Sequence, residues 1–232
     1  MKFYKSKKLL NIDNNAKTIK GQKYKYKTAI LYLAPAKISG FNVCPFADDC
    51  AKTCLNTAGR GQMSSVQKGR INKTLWFFNE RETFIKQLIF EIYKFELHCK
   101  NNKFKPCVRL NGTSDIQWEN KLYLDKTMFE HFPDIQFYDY TKIPTRKVSH
   151  INNYHLTWSY SEANDKYASL FDKIAYNIAV VFNGAFPIYF KGREVVDGDD
   201  TDLRFLDKDN VIVGLKAKGK ARHDMSGFVI HI

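Results

Sequence analysis

Hydrophobic residues along the chain fall into short, largely uninterrupted runs, each closed by a polar cluster. Ala29-Ile30-Leu31-Tyr32-Leu33-Ala34, stopped by Pro35, has the length and flanks of a buried strand. Cys107–Leu110, Ile135–Tyr140, Tyr154–Trp158 and Ala175–Phe182 repeat the form. They lead into Asn111-Gly112-Thr113-Ser114-Asp115, Thr141-Lys142, Ser159-Tyr160-Ser161-Glu162 and Asn183-Gly184 respectively. Between the first two runs the period changes. Leu75, Phe78, Ile85, Leu88, Ile89 and Ile92 recur at helical spacing, behind a capping-box pattern at Ser64-Ser65-Val66-Gln67. This helical region extends to about Cys99, with a break expected near Asn79. Further helices are expected from Asp48 to about Thr57, stopped by Gly59, and over Trp118–His131 and Glu162–Phe171. Pro187–Phe190 and Glu194–Val196 form a hairpin across Gly192, and Val211–Lys216 and Phe228–Ile232 read as strands.

Strands alternating with helices predict an α/β fold with parallel strands and helical crossovers. An open or partial (βα) barrel fits best, with a cysteine-bearing loop and helix near the N-terminus and a β-rich C-terminal part. A doubly wound sheet is the alternative. Ligands in such folds bind where the strands end. No Pro/Gly/Ser-rich linker divides the chain, so residues 28–232 are expected to form one domain, preceded by a basic arm at 1–27. No run approaches the ~18 apolar residues of a membrane helix, and no apolar signal core follows the basic start. A soluble, intracellular protein is expected.

Charge adds a partner to this picture. The formal net charge is +13, and in the first 27 residues nine lysines face a single acid, Asp13. Such a surplus favours polyanions, DNA or RNA above all; a solvated Lys-rich edge is the bland alternative. Lys216, Lys218, Lys220 and Arg222, gathered at the end of an expected strand, are candidate phosphate contacts.

Cysteine placement adds chemistry. Cys44, Cys50 and Cys54 stand in C-x5-C-x3-C spacing, followed by Gly59-Arg60-Gly61-Gln62. Five cysteines without a secretion signal argue against a disulfide framework and for metal or redox chemistry. Thiolates suit zinc or iron–sulfur clusters. On a helix Cys50 and Cys54 would share a face, with Cys44 reaching them from the preceding loop. Buried thiols acting as small hydrophobes are the alternative. No C-x-x-C pair supports a zinc ribbon, although a distant Cys107 or His could complete a zinc site. Three cysteines would leave one iron of a four-iron cluster open.

The strand ends supply the remaining candidates. Asp115, Asp139, Lys142 and Glu162 are candidate catalytic groups, and Asn111 and Ser159 candidate cofactor contacts. A helix cap at Ser114-Asp115 and ordinary packing elsewhere are the competing explanations. The acidic turn Asp197–Asp202 lacks the Gly and Glu that a calcium loop needs.

Together, the Cys44-Pro45…Cys50…Cys54 stretch, Arg109–Asp115, Tyr140-Thr141-Lys142, and Asp202–Asp207 through Val211–Gly219 resemble an uncharacterised group of bacteriophage proteins, the gene product 88-like family. The resemblance covers about residues 25 to 222 and implies expression in the bacterial cytoplasm. Three local cysteines ahead of a βα array also resemble the radical S-adenosylmethionine enzymes in architecture. The spacing departs from that superfamily's C-x3-C-x2-C, and no glycine-rich methionine-binding motif is evident. The expected function is an iron–sulfur enzyme, with S-adenosylmethionine as a candidate cofactor, that acts on a phosphate-bearing or nucleic-acid substrate. The alternatives are a zinc-stabilised nucleic-acid-binding protein without catalysis and a metal-free protein that binds a host protein.

Overall fold

A computed structural model describes residues 3–13, 15–162 and 169–232. Its centre is one sheet of ten strands: β1 (Leu10–Ile12), β2 (Tyr26–Leu31), β3 (Lys105–Arg109), β4 (Gln136–Thr141), β5 (Tyr154–Ser159), β6 (Ile178–Asn183), β7 (Tyr189–Phe190), β8 (Arg193–Asp197), β9 (Ile212–Lys216) and β10 (Val229–His231). The spatial order is β1-β2-β3-β4-β5-β6-β9-β8-β7, with β10 added to β6. From β2 through β6 to β9 and β8 every neighbouring pair is parallel; β1 and β7 close the two ends antiparallel.

The parallel strands β2 to β6 therefore follow one another in chain order without the reversal of a doubly wound sheet. β1 and β7 end the sheet on opposite sides, so it is open, and the expected barrel does not close. The β-rich C-terminal part is present as β7–β10. β5 pairs with β6 only at Trp158–Ile178 and Ser159–Ala179, and β10 then runs along β6 from Val181 to Asn183. The sheet thus splits at Ser159, just where β5 ends.

Among the described residues the long crossover helices lie in one connection, β2 to β3; that from β3 to β4 holds only a short helix, Met128–His131. After the short helix α1 (Ala16–Lys20), helices α2 (Ser64–Asn79) and α3 (Arg81–Asn101) join β2 to β3 and break at Glu80, next to the expected Asn79. On α3, Phe84, Ile85, Leu88, Ile92, Phe95 and Cys99 are buried. They belong to the same core cluster as Val108, Leu110, Phe137 and Leu156 of the sheet region. Each fully buried side chain of this size contributes roughly 1.5–3 kcal/mol.

Several expected helices are absent. Ser64 caps nothing; the capping position is Met63, which makes no side-chain bond. Over Trp118–His131 only a 3-10 turn at Trp118–Asn120 and a short helix at Met128–His131 form. Leu124 and Asp125 between them take left-handed backbone at φ 47° and 59°. Leu122 and Leu124 are exposed, so the apolar spacing there was not a core face. Residues 163–168 of the expected Glu162–Phe171 helix lie outside the described residues.

The basic N-terminal segment is tied to the rest of the chain. The Glu91 carboxylate accepts the Leu9 and Leu10 N–H groups at 2.8–2.9 Å, Lys73 donates to the Leu9 carbonyl at 2.6 Å, and Leu9 is fully buried. Lys17 and Lys23 pair with Asp199 and Asp200. Among the described residues no helix is long and apolar enough to cross a membrane.

Candidate functional site

The parallel strands deliver their polar ends to one side of the sheet, and the cysteine stretch meets them there. Asp115 donates its backbone N–H to the Val43 carbonyl at 2.8 Å, and Thr113 Oγ1 donates to Leu33 O, so the turn after β3 holds both ends of the connection into Cys44. The helix expected for Asp48–Thr57 is replaced by 3-10 turns at Asp48–Ala51 and Leu55–Thr57. Asp48 takes left-handed backbone (φ 41°) at the first of these turns. Cys50 and Cys54 therefore do not share an α-helical face.

All three cysteines are free thiols of intermediate exposure. Cys44 Sγ lies 3.7 Å from the Thr113 carbonyl, and burial pushes its pKa up to about 12. Burial also raises Cys50, opposed by Lys142, and Cys54, opposed by the Asn56 backbone and Arg70. Cys50 packs against the cluster Ala217, Ala221, Phe228 and Val229. Among the described residues no three His, Cys, Asp or Glu side chains converge as a single-ion site.

Lys142 is the chemically distinctive group. Its Nζ donates to Ser159 O at 3.2 Å and stands 4.8 Å from the Phe228 ring centroid. Burial lowers its pKa, with Cys50, Asp115 and Asp48 opposing. Lys142, Ser159 and Ser161 line a cavity of about 10 Å³ with Phe46, Ala47 and Asp48 from the cysteine loop. That volume is room for about one water molecule.

The other strand-end candidates are engaged within the protein. Asp115 is buried and accepts the Lys142 N–H at 2.7 Å and Arg146 Nη1 at 3.2 Å. Asp139 is fully buried and accepts Asn111 N–H at 2.8 Å and the Tyr154 hydroxyl at 3.1 Å. Burial raises its pKa to about 7 against the pull of Arg109. Asn111 holds its own turn: its amide nitrogen donates to Ile116 O, and its amide oxygen accepts Ser114 Oγ and Ile116 N–H. Glu162 is half-exposed, accepts the Tyr160 hydroxyl at 3.1 Å and pairs with Lys191 at 3.5 Å.

The basic residues divide in the same way. Lys218 pairs with Asp199 at 2.8 Å, and Lys216 donates its N–H to the same carboxylate while its ammonium faces the Phe186 ring at 5.7 Å. Hydrogen bonds from Lys17 and Lys218 hold Asp199 well below the usual carboxylate range despite its burial. Lys220 and Arg222 lie exposed on a 3-10 turn, Gly219–His223. That turn approaches the cysteine loop closely: a Cβ on Gly219 would lie 3.0 Å from Ala58 Cβ.

Three arginines escaped sequence reasoning. Arg146, its side chain 1% exposed, bonds Asp115, Glu119 and Tyr154. Nothing in its surrounding Ile143-Pro144-Thr145 signals burial. Arg109 pairs with Asp202 at 2.7 Å; its signal was a charge inside the run Cys107–Leu110. Arg70 of α2 stacks over Tyr32, 4.8 Å from the ring centroid, and bonds Asn56 in the cysteine loop.

No curated protein and no solved structure matches the chain. The family model for Gene product 88 matches residues 6–232, nearly the whole length, and on that match the chain belongs to the Gene product 88 family of bacteriophage proteins.

Proposed function

We propose that the strand ends form the site of a metal–thiolate enzyme, with Cys44, Cys50 and Cys54 holding an iron–sulfur cluster beside Lys142. The observation that carries this reading is topological. The first parallel strand, β2, leads directly into the cysteine loop, and that loop lies over the ends of its successors, the position where βα sheets place their ligands. The donor set fits the group: three free thiols, partly shielded from water. A cluster spreads its irons over separate corners, so its thiolates need not converge on one point as a single zinc ion requires. With three protein ligands such a cluster supplies one-electron chemistry at an iron left open to a bound cofactor such as S-adenosylmethionine.

The chain's own residues have separable tasks. Lys142 places a buried positive charge beside Cys50, offsetting the charge of deprotonated thiols. Ser159 fixes the direction of that ammonium through its carbonyl. Asp115 fixes the Lys142 backbone and is itself held by Arg146, so both are positioning residues. Lys220 and Arg222, on the turn against the cysteine loop, are placed to hold a phosphate-bearing substrate, DNA or RNA.

Purification without oxygen, with iron, sulfide and zinc counted per chain, tests this. About four irons and four sulfides, absent from the Cys44/Cys50/Cys54 triple Ala variant, are expected. One zinc and no iron would favour the second reading, a structural ion in a nucleic-acid-binding protein without turnover. No metal at all in the anaerobically purified protein would refute both.

A further inference from the structure

At the opposite end of the sheet from the cysteine loop the strands part a second time. β5 and β6 pair only at Trp158–Ile178 and Ser159–Ala179, so the first half of β5 has no strand neighbour on that side. The gap is a cavity of about 300 Å³, at the lower end of small-ligand pockets. Its walls include Tyr154, His155, Leu156, Tyr176 and Asp209.

Three features describe what would fill it. His155 Nε2 is buried and has no hydrogen-bond partner among the described residues, a state that costs free energy unless a ligand or water completes it. The backbone of β5 presents an open edge. Trp158 and Tyr160 direct their N–H groups to the Asn177 and Ala179 carbonyls on the β6 side. Parallel pairing alternates, so Leu156 turns its N–H and C=O toward the same gap. The tyrosines offer ring surface only, because their hydroxyls are engaged elsewhere: Tyr154 with Asp139 and Arg146, Tyr176 with Val148 and Arg146. A planar ligand with adjacent donor and acceptor atoms on one edge matches this set.

Charge narrows the class. Among the described residues no Lys or Arg lines the cavity, while Asp209 stands among its lining residues. Burial holds His155 toward its neutral form, with Arg204 acting in the same direction. A phosphate would meet one carboxylate and no cation among these lining residues; a ribose diol would find that carboxylate as an acceptor. We infer that this cavity is a binding site for an uncharged nucleoside, its base edge against Leu156 and His155 and its sugar toward Asp209. The site is separate from the cysteine loop and does not depend on the reading proposed for it.

Calorimetric titration with adenosine, guanosine, cytidine and uridine, each beside its triphosphate, tests the inference. At least one nucleoside binds, and its triphosphate binds more weakly. His155→Phe, which fills the cavity and removes the nitrogen, and Ser149→Trp, on an exposed lining residue, each weaken it by about tenfold or more. The Cys44/Cys50/Cys54 triple Ala variant binds the nucleoside unchanged. If His155→Phe fails to fold, the rim variant alone decides. No binding of any nucleoside at millimolar concentration, tighter binding of a triphosphate, or binding indifferent to Ser149→Trp would overturn it.

Discussion

Asp139 gives the sharpest test of the buried polar layer. Its carboxyl is fully enclosed and titrates near about 7, against about 3.9 for an unfolded Asp. Burial is the leading cause, and Arg109 and the Asn111 N–H oppose it only in part. The sign follows from the raised value. The folded state binds the proton more tightly, so the group's contribution to stability is full below about pH 4 and is lost as pH rises through about 7. Three units at about 1.36 kcal/mol each set a ceiling of roughly 4 kcal/mol. Asp139→Asn removes the titration. Its amide oxygen can still accept the Asn111 N–H, and its NH₂ group faces Tyr154 Oη, while the nearby Asn111 amide nitrogen adds a pH-independent offset. Urea unfolding followed by fluorescence of the three buried tryptophans, Trp76, Trp118 and Trp158, measures both proteins across this range. The difference in unfolding free energy, wild type minus variant, should fall by about 2–4 kcal/mol from about pH 4 to about pH 8. Parallel curves would refute the assignment of a raised Asp139.

Arg146→Ala leaves Asp115 and Glu119 buried without their cation and should cost about 3–5 kcal/mol in urea unfolding; a loss below about 1 kcal/mol would mean that water replaces the guanidinium. Gly112→Ala puts a Cβ 2.6 Å from Ile30 Cγ2 and 2.8 Å from the Leu31 carbonyl. Thermal and chemical denaturation should show a loss of about 1–3 kcal/mol, and a neutral result would show that the turn after β3 yields easily. Removing Lys220 and Arg222 together should flatten the salt dependence of oligonucleotide binding by about two counterions. Lys218→Ala should change it far less, because Asp199 already neutralises that lysine; equal effects would contradict the division.

The parallel strands were legible because each is a short apolar run with a polar end, a pattern set by burial on both faces of the sheet; β1, inside the stretch read as a basic arm, was not. The α2–α3 pair was legible for the same kind of reason, a continuous buried stripe. The segment 118–131 misled because its apolar residues recur four apart, Trp118 with Leu122 and Leu124 with Met128, yet Leu122 and Leu124 are exposed while Trp118, Met128 and Phe129 anchor it. Cys50 and Cys54, four apart, suggested a helix face; the left-handed residue Asp48 and successive 3-10 turns set their positions instead. Pairing hid the arginines. In sequence Arg146 looks like a surface charge, and only its distant partners, Asp115 and Glu119, make its burial tolerable.

The same pairing separates residues that can report on chemistry from residues that cannot. Asp115 is bonded to the Lys142 backbone on one side and to Arg146 on the other. Replacing it would unseat the lysine and strand a buried guanidinium together, so lost activity in such a variant would say nothing about proton transfer. Asp139 and Asn111 carry the same ambiguity, since each holds the turn that carries Asp115. Lys142 is different. Among the described residues its ammonium has one hydrogen bond, to the Ser159 carbonyl, and it faces the cavity and the cysteine loop. Lys142→Met keeps most of the buried volume and removes the charge together with its one bond to the Ser159 carbonyl. At that position, and at the three cysteines, a loss of function can be told from a loss of fold.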